Sequence, residues 1–164
     1  LDVYFENLQA LKQSFFPDLF FRSSASGCPL SVTVDLECRF LRLRLPAGQS
    51  LQLEHALVYA EADNGELVNI APGSALSVSS VLSGSDHLLA KRCLVNPDHK
   101  GLGVHTDNTG DDEWVMLDFG AAHQLRRIVI SNISSVWAWR AWKLIIESSS
   151  DGEAWLPQYD HTDR

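Results

Sequence analysis

Cysteine is scarce in this chain: Cys28, Cys38 and Cys93 are the only three. There is no CxxC, no Cys/His cluster at zinc spacing and no even set of half-cystines, so neither a zinc module nor a disulfide framework is expected. Cys28 and Cys38 flank a strand-like run and can pair only if the chain doubles back. Buried, reduced thiols and a non-oxidising, intracellular setting are the expectation. Any apolar run of the roughly 18 residues that a spanning helix requires is also missing. Positive charge is short as well, with 13 Lys and Arg against 21 Asp and Glu and a net charge of −8. Nucleic-acid binding rests on neutralising phosphates with basic side chains, and anionic membranes attract basic segments; both partners are disfavoured. Motifs that break bonds are absent: no GxSxG, no HExxH, no phosphate-cradling glycine loop. Asp111 and Asp112 are sequence neighbours, so on a strand they point to opposite faces and form no acid/base pair. A non-enzyme is expected. No internal repeat or low-complexity tract interrupts the pattern.

What is present suits one domain: 164 residues with 45% hydrophobic content can bury a sizeable core. Leu1 is not a start methionine, so a piece of a longer protein is expected. Residues 1–29 read as a helix and linker. Val3, Leu8, Leu11 and Phe15 share a broad apolar face, Pro17 ends or kinks the helix, and Ser23 to Pro29 is a small-residue linker. The aromatic density of this segment (Tyr4, Phe5, Phe15, Phe16, Phe20, Phe21) demands a packing partner, either the end of this domain, a neighbouring domain or a second subunit.

Residues 30–164 read as short strands. Leu30 to Leu36 is followed by Arg39 to Leu45, where leucines alternate with Arg42 and Arg44 apart from one slip at Arg39-Phe40. Pro46 to Gln49 is a turn, Leu51 to Tyr59 a strand, and Asp63 to Glu66 a hairpin-type turn. Ser74 to Val81 is rich in small residues and is expected at an edge. Leu88 to Val95 reads as a short strand or helical turn, and Asn96 to Gly101 as a polar loop. Trp114 to Phe119 alternates and stops at Gly120. Leu125 to Ile130 and Leu144 to Ile146 are β-branched runs, Ser148 to Gly152 is a turn, and Trp155 opens a final short strand. Turn signals roughly every 8–12 residues between such runs predict an all-β, antiparallel β-sandwich. Its binding loops should cluster at one end.

One loop stands out. Trp137, Trp139 and Trp142 surround Arg140 between two strands. An exposed loop this aromatic suggests a ligand platform. If it is extended, Trp137 and Trp139 face one side. Trp114, Trp142 and Trp155 are expected in the core.

These motifs resemble, in order, those of the discoidin family, also called the coagulation-factor type C domain. That family includes many bacterial carbohydrate-binding modules and the fucose-binding F-type lectins. Asn69-Ile70-Ala71-Pro72-Gly73-Ser74-Ala75 resembles its "NIALGKPAT" run and His105-Thr106 its "HT" element. Glu113 to Gly120 resembles its "WWxVDLG" strand, Ile128 to Asn132 its "IxIxNR" strand, and Ser150 to Trp155 its "SxDGxxW" turn. The family's closing strands resemble Arg39 to Pro46 and Leu51 to Tyr59, which here come first. The resemblance thus implies a circularly permuted domain in which strands 30–60 close the sandwich.

The resemblance also implies a jelly-roll fold and a non-catalytic accessory module that binds a glycan through end loops. His105, Asp107, Asn108, Trp137, Trp139 and Arg140 are its implied ligand-binding residues, with Asp98 and His99 from a neighbouring loop. A sugar offers CH groups to an aromatic face and hydroxyls to charged and amide partners. Arg140 matches one arginine of the fucose-binding triad, whereas Ile133 stands where the other is due and Val136-Trp137 where paired cysteines sit. The implied triad is incomplete. Many members hold calcium; Asn96 and Asp98 lie in the matching loop, with Asn in place of the usual Asp, and the family's glutamate falls on His55, with Glu54 beside it. The alternative on the same fold is a protein-interaction domain of a larger chain, since exposed Trp and Arg also make protein hot spots.

Overall fold

The computed structural model describes residues 29–161. The helix read over 1–22, and Cys28, lie outside the described residues. Two long strands organise the rest. β1 (Leu30–Leu45) and β6 (Glu113–Asn132) pair antiparallel along their length. Towards one end, β6 also pairs with β2 (Gln52–Glu61), which takes β3 (Leu67–Asn69) and β5 (Val104–His105). Towards the other, β6 pairs with β4 (Ala75–Val78), and β1 pairs with β7 (Ile145–Ser149), which takes β8 (Leu156–Asp160). A short helix α1 (Asp86–Ala90) and a 3-10 turn (Cys93–Val95) link β4 to β5. One contiguous core takes Leu41, Leu43, Val115 and Leu117 from one half and Ala56, Val58, Ile128 and Ile130 from the other. The architecture is an all-β, antiparallel sandwich. Among the described residues no helix is long and apolar enough to cross a membrane.

Alternation sets the faces. Leu41, Leu43 and Leu45 lie opposite Leu117, Val115 and Glu113, all fully buried. Arg42 and Arg44 lie opposite Met116 and Trp114 on the other face. The slip in the arginine strand has a cause: the register shifts between Cys38 and Phe40, where Phe40 pairs with Asp118 and Cys38 with His123. The extra residues of β6 loop out there, and Gly120 takes φ +79°, which suits a residue without Cβ. The strand expected to stop at Gly120 therefore continues past a bulge, and the two runs on each side form one long strand. Leu88 to Val95 resolves into α1 and the 3-10 turn.

The expectation that Trp114 and Trp155 sit in the core is corrected. Period-2 alternation puts Glu113, Val115 and Leu117 inside, which leaves Trp114 half-buried on the outer face. Trp155, also half-buried, stacks under the Arg42 guanidinium at 4.1 Å. Beside it Arg42 and Arg44 bind the Glu147 carboxylate at 2.8 and 2.9 Å. Trp142 packs partly buried against the core and meets the edge of His161 with centroids 4.8 Å apart. Cys38 and Cys93 are buried thiols, and burial pushes the Cys38 thiol up to about 11.

Candidate functional site

At one end of the sandwich the start of β2, the end of β5 and the loop after β6 come together. Sheet register causes it. Gln52 lies opposite His105 and Leu53 lies close to Asn132 in the adjacent strand pair. Cross-strand neighbours on one face stand within side-chain reach. The Gln52 amide accordingly meets the His105 ring, with Nε2 to Nε2 at 2.5 Å.

Asn132 shapes the loop that follows. Its side-chain oxygen accepts from Ile133 N–H at 2.8 Å, and its amide donates to the Ala138 carbonyl at 2.8 Å. The chain then winds into a 3-10 helix, Ala138–Lys143, with Ala138 and Ala141 buried. This corrects the extended reading, in which Trp137 and Trp139 share a side. At three residues per turn, positions i and i+3 eclipse, so Trp137 is aligned with Arg140. The Arg140 guanidinium stacks over the Trp137 ring at 4.3 Å. Among the described residues Arg140 has no carboxylate partner. Trp137 and Trp139 are each about half exposed, and Val136 between strand and helix is more exposed still.

Trp137 walls a cleft of about 320 Å³ together with Gln52, Glu54, Leu102, Ile133 and Ser135. Its volume lies at the small end of the roughly 300–1,000 Å³ seen for small-molecule sites. Gln52 is only 7% exposed, and its Oε1 is buried without a hydrogen-bond partner. Glu54 is tethered through Oε1, which accepts from Gly101 N–H at 3.1 Å. His105 adjoins the cleft through Gln52, and Arg140 adjoins it through Trp137. Burial, and then the charge of Arg140, hold His105 below the usual imidazole range, while Asp107 pulls weakly the other way. The ring is neutral at neutral pH. The ensemble offers an aromatic face, a fixed cation, a carboxylate and two amide or imidazole groups around a small hollow. Such groups bind a polar ligand with an apolar face.

The other residues read from the sequence have different surroundings. Asp107 caps its own loop, accepting from Asn108 N–H at 2.8 Å, and Asn108 reaches the Gly48 carbonyl at 3.4 Å. The loop is anchored by Glu113, which is fully buried and takes hydroxyl bonds from Ser79, Ser80 and Thr109 at 2.6, 2.6 and 2.7 Å. Burial raises its carboxyl, but these donors outweigh burial and hold it below the ordinary range. Trp139 is not part of the cleft wall. His99 bonds the Leu102 carbonyl at 3.0 Å and meets the edge of His55. Asn96 and Asp98 are exposed, and Asn96 Oδ1 accepts from Asp98 N–H at 3.0 Å. Among the described residues no three His, Cys, Asp or Glu side chains converge as a metal ion requires. Sequence reading missed Gln52 as a ligand-facing group, because LQLEHALVY looks like any half-buried strand.

No protein-family model, no curated protein and no solved structure matches this chain. The functional reading therefore rests on the chemistry of this end of the sandwich and on the ordered motifs of the sequence.

Proposed function

We propose that this chain is a non-catalytic glycan-binding module of a larger protein, which holds one or two sugar rings at the Trp137 cleft. One observation carries the reading: a half-exposed Trp137, braced by Arg140 at 4.3 Å, walls a small cleft that also contains the Gln52 amide. A sugar ring stacks its CH face on such an indole and gives its hydroxyls to amide, imidazole, carboxylate and guanidinium groups. The order of discoidin-like motifs supports the same reading. A screen of the purified chain on a glycan array, once with calcium and once with chelator, tests it. A hit that is lost in Trp137→Ala is expected. A blank array under both conditions would sink the proposal.

A second reading, protein docking, is favoured by Val136 and Trp139. Both are exposed apolar side chains outside the cleft, and they broaden the patch beyond what a small sugar needs.

A further inference from the structure

We propose that Gln52 selects the ligand, its amide oxygen accepting a hydrogen bond from a hydroxyl on the inner edge of a sugar seated in the cleft. This rests on the glycan reading above. Gln52 sits between Leu51 and Leu53, both fully buried, and is itself 93% withdrawn from solvent as the complement of its 7% exposure. It nonetheless lines the cleft. One end of its amide is used, since Nε2 lies 2.5 Å from His105 Nε2. His105 is neutral because burial and the charge of Arg140 disfavour the imidazolium. A ring nitrogen can therefore accept the amide N–H, which leaves the amide oxygen as the free end. That oxygen is buried and has no partner among the described residues.

A buried acceptor without a donor destabilises a protein. The N–H end of the amide serves the fold through His105, but the unsatisfied oxygen end does not. A ligand hydroxyl would complete it. A ligand with hydrogen in place of that hydroxyl would leave the oxygen desolvated and unpaired. Sites built to bond a hydroxyl reject analogues that lack it far more strongly than apolar pockets reject a missing methylene. Glu54, Ser135 and Trp137 also line the cleft, so the remaining hydroxyls have partners while this one meets the buried Gln52 oxygen.

The test uses a panel of methyl glycosides of glucose, galactose, mannose, N-acetylglucosamine and fucose, each with its monodeoxy analogues. Affinities are measured for the whole chain and for Gln52→Met, with thermal unfolding of both. The wild-type chain should bind at least one glycoside and lose about ten-fold or more on one deoxy position. Gln52→Met gives up the contact with His105, so it should remain folded but unfold at a somewhat lower temperature, bind the parent sugar at least about ten-fold more weakly, and no longer distinguish the deoxy analogue. A folded Gln52→Met with wild-type affinity and discrimination overturns the inference and leaves the glycan reading standing. If the variant does not fold, the wild-type deoxy series decides, and losses of no more than about two-fold at every position overturn it. If the wild-type chain binds no member of the panel, the glycan reading fails and this inference falls with it.

Discussion

Arg140 and Trp137 act as one unit: the guanidinium rests over the indole at 4.3 Å while its charge bears on His105. A cation stacked on an aromatic face is held in place without an ion pair. The stack stiffens the indole and leaves the guanidinium donors available. Two side chains of the candidate site are thus positioned by one contact.

Trp137→Ala should weaken ligand binding by about ten-fold or more, with unfolding free energy changed by less than about 1 kcal/mol, because the ring is half exposed. Arg140→Ala should weaken binding too and should let His105 titrate higher, since a positive charge that disfavours the imidazolium is removed. Titration of the imidazole resonances by NMR reads the second effect. An unmoved His105 would show that the two side chains are not electrically linked.

Face assignment makes two neighbouring strand positions respond differently. Leu117 is fully buried, so Leu117→Ala should cost about 2–5 kcal/mol through a cavity. Trp114→Ala should cost only about 1–2 kcal/mol despite the larger deletion, because Trp114 lies half-buried on the outer face. Urea unfolding of both variants makes the comparison. Equal losses would place Trp114 in the core after all.

Gly103 is held where no side chain fits. A Cβ there would lie 2.1 Å from the Glu54 carbonyl oxygen and 2.8 Å from the Leu94 Cα, both backbone atoms. Gly103 also donates to the Leu53 carbonyl at 2.9 Å, which brings it against β2. Gly103→Ala should therefore destabilise by about 1–3 kcal/mol and shift the strand that carries Gln52 and Glu54. Thermal unfolding that matches the wild type would contradict this packing.

Acid should destabilise the fold through two carboxylates. For Glu147 and Glu113, burial raises the carboxyl, but donors from Arg44 and Arg42, or from Ser79, Ser80 and Thr109, outweigh it and hold both below the ordinary range. Unfolded glutamates titrate near about 4.3. Between the folded and unfolded values the unfolded chain binds more protons. The stabilisation is thus present above roughly pH 4.3 and is lost as pH falls through the lower folded values. Glu147→Gln should cost about 1–3 kcal/mol at neutral pH, less than a fully buried pair, because Arg42 and Arg44 stay 22% and 21% exposed. It should also flatten the acid dependence. Urea midpoints recorded from neutral pH down to about pH 3 would show the flattening; an unchanged slope would mean that Glu147 is not a source of it.

Alternation in LRLRL was enough to place Leu43 inside and Arg42 outside, and bounded apolar runs were enough to place the longer strands and the all-β class, but not β3 or β5, which are too short to leave a pattern, nor the joining of two runs into each of β1 and β6. Trp137 and Arg140 were legible as candidates because a loop so rich in tryptophan around an arginine is unusual, whereas His105 was named only through the family resemblance. These features are local: period and composition report which face of an element meets the core. The tertiary structure alone decided that Gln52 faces His105, that Trp137 aligns with Arg140 instead of Trp139, and that Glu113 is buried where Trp114 was expected. Each depends on a register between segments far apart in the chain, or on a loop wound by distant packing. A slip of one residue reverses the faces without changing the local pattern.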